Sequence, residues 1–406
     1  MVKNKILILE NHRHTLTVIR SLANAGYDPI VGYHDQFGEK FALSSRYVEE
    51  TWHHPRLDEG GRFIEALKVF LKGRDDIAYI FPVDDGSSGL LARNYNDIIK
   101  YCEIIMARPD AIMACLIKSA IFKYVKEHNI PLPETSMVGN LIDIDTQIKR
   151  LGYPFILKPV TKDIPFFGKK CIICDTPFEY KKHFPKWPEG HQELIFQRKI
   201  LGFIHDCMFT AIKGKVICYF EKRILRADTY DGTGFAVDTI TVKPSEQRKK
   251  YVELLTTSLD YSGIGGVQFI VNDKDDSSCF LEFNPRLDAG NALPYSCDLD
   301  FPKQAIDVHK YLRGETTSLP QYPGNYQVGK RIHWLFGDIS GLLKEMFQGD
   351  ISVLQGIGWF FKLLNTLCKT THHVTWSWKD PIPTLVLYRQ ELLNIITHQL
   401  NRMRLR

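Results

Sequence analysis

The chain has 406 residues, of which 52 are Lys or Arg and 47 are Asp or Glu, so its formal net charge is +5. Hydrophobic residues make up 44% and charged residues 24%, ordinary values for a globular protein that exclude a disordered, collagen-like or coiled-coil chain. At about 150 residues per domain the length predicts about two to three lobes, and so small a net charge does not indicate a nucleic acid partner.

No segment has the pattern of a targeting or membrane-spanning element. Near the N-terminus only the apolar residues 6–9 stand together, too few for the core of a signal peptide. The longest apolar stretch, 353–368, is interrupted by Gln355, Lys362 and Asn365, which makes it a poor bilayer span. We therefore expect a cytoplasmic protein whose nine cysteines are reduced thiols.

Residues 1–110 alternate between short apolar runs and helical spacing, which is typical of a parallel α/β sheet. The predicted strands are 5–9, 28–33, 77–83 and 103–109, and the predicted helices lie around 16–23 and 61–72. The first turn reads Glu10-Asn11-His12 rather than a run of glycines, so a dinucleotide site is not expected there.

Three further segments follow: a small mixed lobe at 111–190, a strand-rich lobe at 191–315 and a mainly helical extension at 316–406. In the small lobe, helices are predicted near 118–128 and 143–151, and a strand at 153–159. In the strand-rich lobe, a helix is predicted around 245–260. The fold class is therefore α/β, with several lobes along one chain.

A set of oxygen-bearing side chains lies on two predicted strands joined by the polar turn 272–278. Residues i and i+2 of a strand face the same way, so Glu282 and Asn284 share one face. Gln268 on the preceding strand can lie opposite them across the hairpin. Three oxygen donors on one face suit a hard cation such as Mg²⁺, which proteins commonly share with substrate phosphates.

Two lysines are suited to binding such phosphates. Lys158 ends an apolar strand just before Pro159, which favours a buried and paired ammonium over a solvated one. Lys118 begins a predicted helix, although Lys123 and Lys126 lie nearby on the same helix.

These motifs resemble the ATP-grasp superfamily, and within it the predicted carboxylate–amine ligases and the carbamoyl phosphate synthetase-like enzymes. The resemblance runs from about residue 1 to 310, through the segments CLIKSAIFKYVKEHNIPLPET, YPFILKPV, ELIFQRKI and LEFNPR. It implies an N-terminal parallel-sheet lobe, a two-lobed clamp around ATP and a helical C-terminal extension.

The resemblance also implies residue roles. Lys118 and Lys158 match lysines that hold ATP phosphates, and Arg286 matches an arginine that stabilises the transferring phosphoryl group. The segment implied to contact adenine, mostly through its backbone, comprises Gln197, Arg198, Lys199 and Ile200. The implied ligands for two Mg²⁺ ions, or for Mn²⁺, are Gln268, Glu282 and Asn284. A glutamine as first ligand occurs in the carbamoyl phosphate synthetase-like branch.

Two positions depart from the family pattern. The loop expected to cover the phosphates, 161–170, has one glycine instead of several. The acid expected to bind ribose falls at Ile204, and the nearest acid is Asp206. These departures keep open a second hypothesis, a nucleotide-binding module that senses or scaffolds without catalysis.

Arg223 and Arg226 are candidates for holding a substrate carboxylate, because arginine binds carboxylates through two hydrogen bonds. On a regular strand they face opposite sides, so a solvated face is the competing interpretation. Cys171 and Cys174 have CxxC spacing, but no second pair or nearby His completes a zinc site, and core packing is favoured.

The activity implied by the resemblance is ATP-dependent amide formation from a small-molecule carboxylate and an amine, through an acyl phosphate. A carboxylase or a phosphotransferase remains an alternative within enzymes, and the acid and the nucleophile stay open. In the C-terminal region, an apolar segment around Trp359 precedes a basic end at Arg402, Arg404 and Arg406. Packing on the core is favoured there over contact with a membrane or a lipid-linked substrate.

Overall fold

The computed structural model describes residues 4–34, 40–161, 166–167, 169–390 and 392–393. Its N-terminal lobe is a five-stranded parallel sheet in the order β3-β2-β1-β4-β5. The strands are β1 (Lys5–Leu9), β2 (Asp28–Tyr33), β3 (Glu50–His53), β4 (Ile77–Pro82) and β5 (Glu103–Ile104). The helices are α1 (Thr15–Asn24), α2 (Gly61–Leu71), α3 (Asp85–Arg93), α4 (Tyr95–Ile98) and α5 (Pro109–Leu116).

Continuous apolar runs explain the centre of this sheet. Residues 6–9 of β1 are completely buried because helices cover both faces of a parallel sheet. The predicted strands 5–9, 28–33 and 77–83 are confirmed, the last to within one residue, whereas the strand predicted at 103–109 is present only at 103–104. Strand β3 is an addition. Its four residues alternate between buried and exposed and lie at the sheet edge, so the sequence carries little strand signal there.

The next lobe contains a four-stranded antiparallel sheet in the order β6-β9-β7-β8. Its strands are β6 (Thr135–Val138), β7 (Phe155–Pro159), β8 (Ile172–Cys174) and β9 (Leu194–Arg198). Its helices are α6 (Lys118–Glu127), α7 (Leu141–Leu151) and α8 (Pro177–His183).

The third sheet has seven strands in the order β14-β13-β10-β11-β12-β15-β16. The strands are β10 (Phe203–Ile212), β11 (Lys215–Ala227), β12 (Ala236–Thr241), β13 (Gly263–Val271), β14 (Ser278–Asn284), β15 (Arg331–His333) and β16 (His372–His373). The accompanying helices are α9 (Glu246–Ser258), α10 (Ala292–Ser296) and α11 (Phe301–Leu312). Its β10 and β13 pair over nine residues, which gives the lobe a long, rigid central ladder.

The C-terminal extension, predicted from the sequence to be mainly helical, also contains two short strands. It contains α12 (Leu335–Gln348), α13 (Val353–Lys369) and a helical stretch over 382–390, but also β15 and β16, which extend the large sheet. Residues 316–330 contain neither helix nor strand. Among the described residues, no helix is both long and apolar enough to span a bilayer.

A buried polar network fastens this extension to the large sheet. Asp338 of α12 is completely buried and accepts hydrogen bonds from Arg226 Nη1 at 2.7 Å and Trp359 Nε1 at 2.6 Å. Its other oxygen lies 2.8 Å from His333 Nε2. One carboxylate therefore joins β11, β15, α12 and α13.

Replacing Asp338 with alanine is expected to lower the free energy of unfolding by about 3 kcal/mol, because Arg226, His333 and Trp359 lose their shared buried partner and Arg226 keeps Asp238, at 3.6 Å, as its acidic partner. Urea denaturation measures this loss. The exposed Asp350 lies just beyond the end of α12, and an alanine there should change stability by less than about 0.5 kcal/mol. Equal effects of the two substitutions would contradict the anchoring role of Asp338.

Candidate active site

A row of oxygen-bearing side chains crosses the large sheet where β13 and β14 pair. The turn 272–277 reverses the chain, and the register places Gln268 directly opposite Glu282. Asn284 lies two residues further on the same face, and its Nδ2 donates a hydrogen bond to Glu282 Oε1 at 2.9 Å. Phe283 points to the other face and is buried in the core. The predicted hairpin geometry is confirmed.

The row continues across two more strands as a buried group of charges. Asp206 of β10 lies opposite Gln268, and Lys222 of β11 lies opposite Asp206. The Lys222 ammonium is 3.3 Å from Asp206 Oδ2 and also contacts Asp288. Burial raises the pKa of Asp206, and the charge of Asp288 raises it further. A ribose role for Asp206 stays a prediction, and its contacts here are with this charged group instead.

Arg286 joins the large sheet to the N-terminal lobe. Its Nε and Nη2 donate hydrogen bonds to the two carboxylate oxygens of Asp85, at 2.9 and 3.2 Å. Asp85 is the first residue of α3, and the Asp84 side chain caps that helix by accepting a hydrogen bond from the Ser87 amide at 2.8 Å. Two hydrogen bonds to a carboxylate at a capped helix end fix the orientation of the guanidinium.

Beside this ion pair, the N-terminal lobe has the edge at which open parallel sheets bind ligands. From β1 the sheet is built outward in one direction through β2 and β3, and in the other direction through β4 and β5. In open parallel sheets, ligands bind at the carboxyl ends of the two strands where the order reverses, here β1 and β4. His12 follows β1 and Asp84 follows β4, and His12 Nε2 lies 3.3 Å from Asp84 Oδ2. Burial lowers the pKa of the adjacent His14 to about 3, so this ring is neutral.

Lys158 lies in the small lobe near the end of β7. Only 7% of the residue is exposed, and burial lowers the pKa of its ammonium, an effect that the charge of Glu282 partly offsets. Within the described ranges, no residue forms a hydrogen bond or an ion pair with this ammonium. Lys118 Nζ donates a hydrogen bond to the Pro159 carbonyl at 3.0 Å, so the two predicted phosphate-binding lysines lie at the same end of β7.

The segment predicted to contact adenine connects β9 to β10. Gln197 is buried, and its Nε2 donates a hydrogen bond to Thr135 Oγ1 at 2.8 Å. The amides of Arg198 and Lys199 donate hydrogen bonds to backbone carbonyls of neighbouring segments, and Ile200 is half-buried. Adenine binding stays a prediction. The loop expected over the phosphates falls partly on 162–165 and 168, outside the described residues.

Both arginines predicted to hold a substrate carboxylate are paired with aspartates. Arg223 Nη2 donates a hydrogen bond to Asp273 at 2.8 Å, and its guanidinium lies 3.7 Å from the centre of the Phe203 ring. Arg226 is held by Asp338 in the network that anchors the C-terminal extension. Their substrate role stays a prediction, because binding a carboxylate requires either arginine to exchange its present partner.

The fold matches solved structures of low sequence identity. For N5-carboxyaminoimidazole synthetase from Staphylococcus aureus with ADP, the TM-score is 0.63 at 16% identity, over 85% of this chain and 86% of that chain. For a biotin carboxylase β-γ-ATP complex from Campylobacter jejuni, the TM-score is 0.59 at 16% identity, over 81% of this chain and 74% of that chain. For L-amino acid ligase from Bacillus licheniformis, the TM-score is 0.59 at 14% identity, over 75% of this chain and 73% of that chain. No family model and no curated protein matches the sequence.

The chain has the ATP-grasp fold. The site just described lies between the sheets of this ATP-grasp chain, and its chemistry fits Mg²⁺, because Gln268, Glu282 and Asn284 offer only oxygen ligands on one face. Among the described residues, no group of three or more His, Cys, Asp or Glu side chains could hold a metal ion. The predicted set is of another kind, with one carboxylate and two amides.

Three residues of this candidate site were not expected from the sequence: Asp85, Lys222 and Asp288. Asp288 carried a local signal, because it follows Arg286 by two residues. Lys222 lies in the strand sequence FEKR, and the sequence did not indicate which face of the sheet its side chain occupies. Asp85 carried none, because its partner Arg286 is 201 residues away in the chain.

Proposed function

We propose that this protein is an ATP-dependent ligase that activates a substrate carboxylate as an acyl phosphate and joins it to an amine. Lys158 carries this proposal. Its buried ammonium has no partner among the residues that the structure describes, and such a charge destabilises a folded protein unless an anion binds it. Lys158 and Lys118 lie at one end of β7 in the small lobe, and Glu282 lies on β14 of the large sheet. An anion bound between the lobes would meet cations from one lobe and a metal-type ligand from the other. The triphosphate of ATP with its metal supplies such an anion.

Each predicted residue then has a role in charge neutralisation. Lys118 and Lys158 would bind phosphate oxygens from the small lobe, and Arg286 would contact the transferring phosphoryl group from the large sheet. Gln268, Glu282 and Asn284 would hold two Mg²⁺ ions, or Mn²⁺, which when bound neutralise the phosphate charge. Positioning and charge neutralisation account for most of the catalysis of phosphoryl transfer.

The reaction has two steps. A carboxylate oxygen of the acid attacks the γ-phosphorus of ATP, and ADP leaves. The amine then attacks the acyl carbon, the phosphate leaves with the electrons of the broken C–O bond, and the amine loses a proton. The acceptor would bind beside His12 and Asp84, at the carboxyl edge of the parallel sheet, and closure of the lobes would protect the acyl phosphate from water. Because ATP is the donor, we place the enzyme in the cytoplasm.

Hydroxylamine trapping tests the proposal. Purified protein with ATP and Mg²⁺ is screened against panels of carboxylic acids, with phosphate release and hydroxamate formation measured together. A ligase releases phosphate only with a suitable acid, and forms one hydroxamate for each phosphate. Binding of ATP without turnover across the panels would favour the non-catalytic nucleotide-binding module instead.

A carboxylase is the second candidate, because two of the reported structural neighbours are an N5-carboxyaminoimidazole synthetase and a biotin carboxylase. In that case bicarbonate is the acid. Phosphate release would then require bicarbonate and would not respond to organic acids. A stable phosphorylated product that forms without bicarbonate and without an organic acid would indicate a phosphotransferase.

Replacing Asp85 with asparagine is expected to lower kcat by about tenfold to a hundredfold while the KM for ATP stays nearly constant. The substitution removes the charge that orients the Arg286 guanidinium but leaves the phosphate-binding lysines in place. Steady-state kinetics measures both parameters. The exposed Asp110, which pairs with Arg108 at 3.2 Å, provides the control, and its asparagine variant should match the wild type. An unchanged kcat in the Asp85 variant would contradict the positioning role.

A further inference from the structure

Helix α13 has apolar side chains on two faces, and the described part of the chain buries only one of them. The covered face packs on the rest of the extension and comprises Gly356, Trp359, Leu363 and Thr366. The other face, which we call the α13 stripe, comprises Val353, Leu354, Ile357, Phe360, Phe361 and Leu364. These six residues are between 40% and 80% exposed.

The stripe is continuous around the helix. At about 100° per residue, its six members fall within about 120° of the helix circumference. An apolar stripe of that width is typical of a helix face that is buried against something. Scattered apolar residues are normal on a protein surface, but a contiguous group of this kind marks an interaction site.

The exposure does not come from a poorly anchored helix. Ser352 caps the N-terminus of α13 by accepting a hydrogen bond from the Gln355 amide at 3.3 Å. The covered face is fixed by Trp359, which donates its indole hydrogen bond to the buried Asp338. The stripe is therefore held outward by the same network that fastens the extension to the large sheet.

The helix itself carries charges of one sign, and the nearest acid along the chain before it is the exposed Asp350, three residues before its start. Residues 351–379 contain no Asp or Glu but three lysines. Lys362 and Lys369 are exposed, and around the helix axis they lie about 60–80° beyond one edge of the stripe. Within the described part of the chain, no acidic side chain pairs with either of them. Long lysine side chains at this angle can extend from an apolar surface to an anionic layer above it.

Helix α13 therefore presents an apolar stripe and two exposed ammonium groups to its surroundings. An anionic bilayer offers hydrocarbon for the stripe and phosphates for the lysines at the same time.

We propose that the α13 stripe docks on an anionic lipid bilayer. Phe360 and Phe361 enter the boundary between headgroups and acyl chains, and Lys362 and Lys369 contact lipid phosphates. The helix lies on the membrane surface, as expected for an interfacial amphipathic helix. This inference concerns a surface away from the ATP site, and it stands whether or not the protein is a ligase.

Vesicle flotation of the full chain tests the proposal. The protein is mixed with vesicles of phosphatidylcholine alone, or with vesicles that contain about 30% phosphatidylglycerol. The bound fraction is expected to be at least about tenfold higher on the anionic vesicles and to fall at high salt. The double variants Phe360→Ser with Phe361→Ser, and Lys362→Gln with Lys369→Gln, should each lower anionic binding about tenfold.

Helix α8 provides matched controls. Phe178 is 76% exposed there, and Lys181 and Lys182 are exposed beside it. Phe178→Ser, and Lys181→Gln with Lys182→Gln, should leave vesicle binding unchanged, and all variants should unfold at the wild-type temperature. No binding to anionic vesicles, or equal binding by the stripe variants and the wild type, overturns the proposal. A dimer in light scattering that the Phe360 and Phe361 substitutions dissociate would assign the stripe to a second copy.

Discussion

Replacing Glu282 with glutamine is expected to lower kcat/KM for ATP turnover about a thousandfold, which corresponds to about 4 kcal/mol of transition-state stabilisation. The change keeps the size of the side chain and its hydrogen bond to Asn284, but removes the one carboxylate among the predicted metal ligands. The concentration of Mg²⁺ that gives half-maximal rate should rise as well, because a neutral amide binds a hard cation more weakly than a carboxylate does. Phosphate release measured over a Mg²⁺ titration gives both quantities.

The hairpin that carries Glu282 supplies its own control. Asp275 is exposed in the turn between β13 and β14 and accepts a hydrogen bond from the Ser277 amide at 3.0 Å, which asparagine can also accept. Asp275→Asn should therefore keep wild-type kinetics. Full activity in Glu282→Gln at every Mg²⁺ concentration would show that the metal lies elsewhere.

Replacing Lys158 with methionine is expected to weaken ATP binding about a hundredfold, equivalent to about 3 kcal/mol, because the phosphates lose a desolvated cation. The protein itself should become no less stable. In the free protein this ammonium is buried without a partner among the described residues, and methionine fills similar space without a charge. Equilibrium binding of ATP and urea denaturation, run on the same preparations, separate the two effects.

The sign of the pH dependence follows from the same burial. The pKa of Lys158 in the folded protein is lowered from its ordinary value of 10.5. At a pH between the folded-state and the unfolded-state pKa, the unfolded chain therefore binds more protons than the folded protein. The stability of the free protein should therefore rise with pH through that window, and this contribution should be absent in Lys158→Met. The exposed Lys149 of α7 is the control, and its methionine variant should bind ATP normally. A loss of stability in Lys158→Met without a loss of ATP affinity would assign a structural role to this lysine.

Local patterns were enough to predict the parts of the site that lie on one element or one hairpin. The alternation of side chains along a strand placed Glu282 and Asn284 together, and the short polar turn brought Gln268 opposite them. The apolar run before Pro159 correctly indicated that Lys158 is buried. The cysteines of the CxxC segment are free, and Cys174 is packed in the core of the small lobe, as expected.

Contacts between distant parts of the chain could not be predicted in this way. No periodicity links Asp85 to Arg286, because their contact depends on how the N-terminal lobe rests against the large sheet. The same limit applies to Arg226, whose partner Asp338 belongs to an extension that the sequence described only as helical. The strands β15 and β16 have three and two residues, too short for a strand pattern to emerge.

The ion pair between Asp85 and Arg286 has a consequence for how such a protein can be re-engineered. An arginine implied in phosphoryl transfer is oriented by a residue of the lobe that also supplies His12 and Asp84 at the carboxyl edge of its sheet. A chimaera that exchanges this lobe to change the acceptor would therefore also replace the support of that arginine. New specificity is more accessible by varying the residues after β1 while the start of α3 is left untouched.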